Sequence, residues 1–331
     1  MPGAERGGRD RLSPRTRGAL ADLLGPGHPD AANARVTVAV TRVAQGDLTG
    51  ALDDLLEAQA ALDRFAREAV VRPLRVRARL LRGDTLRQLG RYEEAVDVLR
   101  SAQRMARHTE LATEADNSLG VALRFLGDFA GAARAYARAL ASLPADDLAS
   151  RAALHHNLAG LAHARGDHAA SEAEARRALA LRADAPRDPR YGGDLGALAL
   201  AIAEQGRHEE ALAVFAEALG IYEAMLPPSH PEVAYLLHNL GDTLVDAGRF
   251  AEATSAYDEA LRVKEEALGE GHPEVAITLA NSRLAYEGLG DREEAARRVG
   301  RAVAIVREAL PANHPFRVSI KAIAADWPTR E

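Results

Sequence analysis

The chain has 331 residues, a formal net charge of -6, 47% hydrophobic and 27% charged residues, and no cysteine. The missing cysteines exclude disulfides, thiolate metal sites and cysteine nucleophiles, and the acidic balance argues against nucleic acid as a partner, because phosphate neutralisation needs a basic face. No apolar run reaches the roughly 18 residues that span a bilayer, and the first residues (MPGAERGGRDRLSPRTRG) lack the apolar core of a secretory signal; the expectation is a cytoplasmic protein with no membrane contact.

In chain order, residues 1 to 15 are Gly- and Arg-rich and read as a disordered basic tail, followed by a short helix over Arg17 to Leu24. From there a short turn of the form Gly-polar-x-x-x-Ala recurs seven times, at Gly46, Gly90, Gly127, Gly166, Gly206, Gly248 and Gly290, at intervals of 44, 37, 39, 40, 42 and 42 residues. Each glycine reads as the end of one helix, where a left-handed residue is favoured. The acidic residues that follow suit the start of the next helix.

Small residues hold fixed offsets around these turns. Five residues after the glycines stand Ala51, Ala95, Ala132, Ser171, Ala211, Ala253 and Ala295; seven before them stand Ala39, Gly83, Gly120, Ala159, Ala199, Gly241 and, as a departure, Arg283. Larger residues such as Leu86, Leu123, Leu99, Tyr136, Phe215 and Tyr257 fill the positions four before and nine after. The periodicity is helical throughout, so the pattern predicts seven helix–turn–helix hairpins packed at small side chains. Ser282 and Arg283 predict less regular packing in the seventh. A last segment, 314 to 331, repeats a first helix without its partner and reads as a capping helix and tail, with Trp327 covering the last hairpin.

These residues resemble the tetratricopeptide repeat, most closely over Asn117 to Pro144 (NSLGVALRFLGDFAGAARAYARALASLP) and His238 to Leu261. The last two full repeats, beginning HPEVAYLLHNLGDTL and HPEVAITLANSRLAY, are similar to the longer kinesin-light-chain variant. The resemblance implies an all-α, right-handed superhelical solenoid of seven hairpins over residues 16 to 313, forming one domain because a lone hairpin cannot bury its apolar face. It also implies a concave face lined by the first helix of each hairpin, and a protein or peptide as partner. With 40 of its 42 basic residues arginine, the chain has the composition of a GC-rich genome, for which an actinobacterial source is the expectation.

Candidate chemistry is sparse. His28, His230, His272 and His314 each precede a proline, which suits a helix start, and a whole repeat separates them, so they cannot converge on one ion. His156 and His163 share a helix face but lack the further ligands zinc requires, with no carboxylate beside them on that face. No phosphate loop, HExxH or GxSxG occurs. The expectation is no catalysis, no metal and no cofactor.

The ligand-binding candidates lie on the first helices. Asn157, Asn239 and Asn281 stand nine residues before their turn glycines; each either grips the backbone of an extended peptide or bonds within its own hairpin. Arg77, Arg87, Arg124, His156 and His163 would make one stretch of groove positive, and Asp242, Asp246 and Glu287, near Tyr235 and His238, would make another negative. Opposed charges would orient a ligand, unless the face is merely solvated. The expected function is a non-catalytic scaffold or adaptor, the alternative a peptide-sensing module controlling an effector in trans, with self-association left open.

Overall fold

The computed structural model describes residues 25, 27–310, 312 and 315–325. The N-terminal tail and its short helix, His314 and Trp327 lie outside the described residues. The chain divides into two compact units, Met1–Pro144 and Ala145–Glu331. Among the described residues the first unit holds three hairpins: α1 (Pro29–Ala44) with α2 (Leu48–Asp63), α3 (Arg72–Gln88) with α4 (Tyr92–Ala106), and α5 (Ala112–Leu126) with α6 (Phe129–Ser142). The second unit holds four: α7 (Leu148–Ala164) with α8 (His168–Leu181), α9 (Pro189–Ala203) with α10 (His208–Met225), α11 (Pro231–Asp246) with α12 (Phe250–Leu268), and α13 (Pro273–Gly288) with α14 (Arg292–Ala309). A final helix, α15 (Pro315–Ala325), packs on α13 and α14 through Ile320 and Ile323.

All seven turn glycines are left-handed, with φ between 72° and 86°, the conformation that a Cβ penalises. The next helix then starts in one of two ways. Where Asp follows, as at Asp47, Asp128, Asp167 and Asp291, its carboxylate accepts from the backbone N–H three residues on, a side-chain N-cap. Where Arg follows, no such cap forms; Arg91, Arg207 and Arg249 instead pair with Glu94, Glu210 and Glu252. His28, His230 and His272 cap α1, α11 and α13, each Nδ1 accepting the N–H two residues on.

In the second, third and sixth hairpins the glycine seven before the turn faces the residue nine after it. A Cβ on Gly83 would stand 2.4 Å from Leu99 Cγ, one on Gly120 2.5 Å from the Tyr136 ring, and one on Gly241 2.8 Å from the Tyr257 ring. Glycine therefore accompanies Leu or Tyr, and the alanines five and twelve after the turns are all buried. Arg283 does not disrupt the seventh hairpin. Its guanidinium turns back to donate to the Ala280 carbonyl, while buried Ser282 accepts from Arg298 and donates to the Leu279 carbonyl.

Candidate functional site

In each unit the first helices of successive hairpins also lie against one another, α1 to α3 to α5 and α7 to α9 to α11 to α13. The second helices make no comparable approach among the described residues. The first helices thus form an inner layer and the second helices an outer one, which places the candidate residues on the inner layer.

In the second unit, polar latches join neighbouring hairpins at a repeated register. Ten residues before its turn glycine, His156 of α7 reaches Asp194 of α9, Nδ1 lying 2.9 Å from Oδ1. Asp194 is 1% exposed and its other oxygen accepts from Arg182 Nε at 2.7 Å. Two hairpins on, His238 occupies the position of His156, Thr278 that of Asp194, and Lys264 that of Arg182. Thr278 Oγ1 donates to the Glu274 carbonyl and accepts from Lys264 Nζ at 3.0 Å, with His238 Nδ1 at 3.1 Å. Lys264 is 2% exposed, reaches Glu274 Oε2 at 3.2 Å and lies over the Tyr235 ring. Between these two latches the same three positions hold Gly196, Tyr222 and Leu236, an apolar contact in which Leu236 packs where a Gly196 side chain would be.

Around the second latch a network closes. Asp242 accepts from the Tyr257 hydroxyl and from Asn281 Nδ2, which also lies 3.4 Å from His238 Nε2. Burial pushes the Asp242 carboxyl up despite those two hydrogen bonds. Burial first, and then the Lys264 charge, push His238 down to about 4. Burial likewise lowers Lys264, opposed by Glu274.

The predicted site residues therefore divide. His156 is tied to Asp194, so a carboxylate does stand beside it, supplied by the next hairpin. Asn281, His238 and Asp242 brace α11 against α13; Asn281 bonds the preceding hairpin, an arrangement the sequence did not suggest. Asn157 is half-buried. Asn239 is half-buried with no side-chain partner among the described residues; only its carbonyl is engaged, by Thr243. Tyr235 is 40% exposed and Asp246 is exposed. Glu287 lies 3.6 Å from Arg283. His163 rests edge-on against His168.

In the first unit Arg77 is exposed, whereas Arg87 and Arg124 both lie over the ring of Phe125, at 5.3 and 4.7 Å, a cation–π arrangement with Tyr92 stacked on the same ring. Sequence reasoning missed Phe125, Arg182, Asp194, Lys264 and Thr278. One signal was available: Arg182 and Lys264 both stand sixteen residues after a turn glycine, and Lys264 is one of only two lysines. Among the described residues no cluster of three or more His, Asp or Glu could hold a metal, and no helix is long and apolar enough to cross a membrane.

Two tetratricopeptide repeat family models match the chain, one over residues 195–266 and 232–308 and the other over residues 43–108. With the paired helices and left-handed turn glycines, this makes the chain a tetratricopeptide repeat protein. No curated protein matches it in sequence. Among solved structures it is similar to the Rap protein complexed with competence and sporulation factor, at 15% identity and TM-score 0.66 over 91% of this chain and 82% of that one. BtubC (BKLC) from P. vanneervenii is similar at 22% identity and TM-score 0.53, over 69% and 93% of the two chains. The APC/C Cut9–Hcn1 hetero-tetramer is similar at 16% identity and TM-score 0.56, over 93% and 58%.

Proposed function

We propose that the protein is a non-catalytic scaffold whose inner layer of first helices holds a segment of a partner protein. The observation carrying this reading is the α11 surface, where the Asn239 amide has no partner among the described residues and lies beside half-exposed Tyr235 and exposed Asp246. An amide offers both donor and acceptor to a peptide backbone, the aromatic ring offers contact area at little entropic cost, and the carboxylate selects a basic neighbour. The Cut9–Hcn1 assembly, formed on a similar fold, supports a protein as the ligand.

Once a partner segment is in hand, Asn239→Ala is expected to weaken it by on the order of 1 kcal/mol, about fivefold, with the thermal midpoint unchanged because no internal bond is lost. Unaltered affinity in titration calorimetry for a variant combining Asn239→Ala, Tyr235→Ala and Asp246→Asn would remove the inner-layer reading.

The Rap complex with competence and sporulation factor supports a second reading, a peptide sensor that changes shape and controls an effector in trans. Solution scattering separates the two. A scaffold keeps its profile when a peptide saturates it, and a sensor does not.

A further inference from the structure

The outer layer of the first unit carries a feature that the inner-layer reading leaves unused. A cleft of about 790 Å³ opens between the second helices of hairpins two and three, α4 and α6, over the apolar side chains of Leu119 and Leu123. Its walls carry five arginines, Arg100, Arg104, Arg107, Arg134 and Arg138, together with His108, whose backbone is left-handed at φ 61°.

Among the described residues two carboxylates line it, and both are engaged. Asp116 accepts from Gln103 and from Arg138, and Asp128 caps α6 through the Gly131 N–H. Arg100 reaches only Asp97, at 3.9 Å on the exposed surface. Arg104, Arg107 and Arg134 are exposed and have no carboxylate partner among the described residues.

The second unit provides an internal comparison. The matching cleft between α12 and α14 is also lined by four arginines, but each is paired: Arg262 with Glu259, Arg297 with Glu294, Arg298 with Asp258, and Arg301 with Glu265. The two units differ in overall balance in the same sense, residues 25–144 carrying 17 Arg or Lys against 15 Asp or Glu, and residues 145–325 carrying 19 against 28. Uncompensated guanidinium groups gathered in one cleft repel each other unless an anion joins them, and their forked donors match carboxylates bidentately.

We propose that this outer cleft binds an acidic segment of a partner protein, its carboxylates meeting Arg104, Arg107 and Arg134. Nucleic acid fits less well. Among the described residues no Phe, Tyr or Trp lines the cleft to stack a single-stranded base, and a groove between two neighbouring helices cannot admit a duplex.

The test is fluorescence anisotropy of labelled decaglutamate with the full chain at low salt. The peptide is expected to bind, to weaken as salt rises, and to weaken about tenfold or more in R104Q/R107Q/R134Q. The inner-layer variant R77Q/R87Q is expected to bind it like the parent, with circular dichroism confirming that both variants are folded. Absence of binding, a loss that follows the inner-layer variant instead, or tighter binding of a single-stranded oligonucleotide of equal charge would overturn the proposal. None of these results bears on the Asn239 experiment, so the two faces stand or fall separately.

Discussion

Asp194→Ala is expected to lower stability by about 3–5 kcal/mol. Asp194 and the Arg182 side chain it holds are 1% and 8% exposed, so water cannot replace the lost carboxylate. The guanidinium is left buried without its counter-charge, and His156 loses its anchor on α9. Most of that cost comes from the stranded cation and not from the value of the pair itself. Pairing Asp194→Ala with Arg182→Met should therefore recover much of the loss, because a methionine fills the space without a charge. Urea denaturation of the two single variants and the double variant measures the coupling. Additive losses would show that the latch is not a unit.

The second large effect is on pH. His238 titrates at about 4 in the folded protein against about 6.5 in an unfolded chain. The unfolded state therefore takes up a proton first as pH falls, and the native state loses stability progressively from about pH 6.5 to about pH 4, by roughly 3 kcal/mol in all. Above pH 6.5 the contribution is fully present. The groups facing His238 set the limits of the effect: Lys264 and Tyr257 from α12, Glu274 from α13 and Asp242 from its own helix. The raised Asp242 carboxyl acts in the opposite sense, because near the acid end of the window the native His238–Asp242 pair binds protons that the unfolded state does not. His272, lowered by burial, adds to the loss in the same direction as His238. Denaturation midpoints taken between pH 7.5 and 4 should slope downward in the parent. The slope should flatten in His238→Gln, and an undiminished slope there would assign the acid sensitivity elsewhere.

Much of the fold was legible because its determinants are local. A turn glycine at positive φ is required by the chain's own backbone, and the match between Gly120 and Tyr136 lies within one hairpin. His28, His230 and His272 were legible as helix starts for the same reason. The inner-layer chemistry was less so, because it depends on which residues of one hairpin meet those of the next. Asn281 read either as a ligand rung or as bonded within its own hairpin, and it donates instead to Asp242, thirty-nine residues earlier in the preceding hairpin. Asp242 read as a plain negative charge, yet a tyrosine hydroxyl and an amide donate to it, and burial favours its protonated form. Helical periodicity says which face a residue occupies but not what the neighbouring hairpin presents there. The turn spacing continues without a break across Pro144, where the chain divides into its two compact units.

The alternation of polar and apolar junctions restricts how the second unit can change length. Deleting one hairpin, α9 with α10, would set His156 and Arg182 against Leu236, stranding a buried cation on a leucine. Deleting two, α9 through α12, would set them against Thr278, a hydroxyl that already serves a histidine and a buried cation in its present place. Removal of a pair of hairpins is therefore expected to cost this unit less stability than removal of one, which urea midpoints of the two deletions would compare.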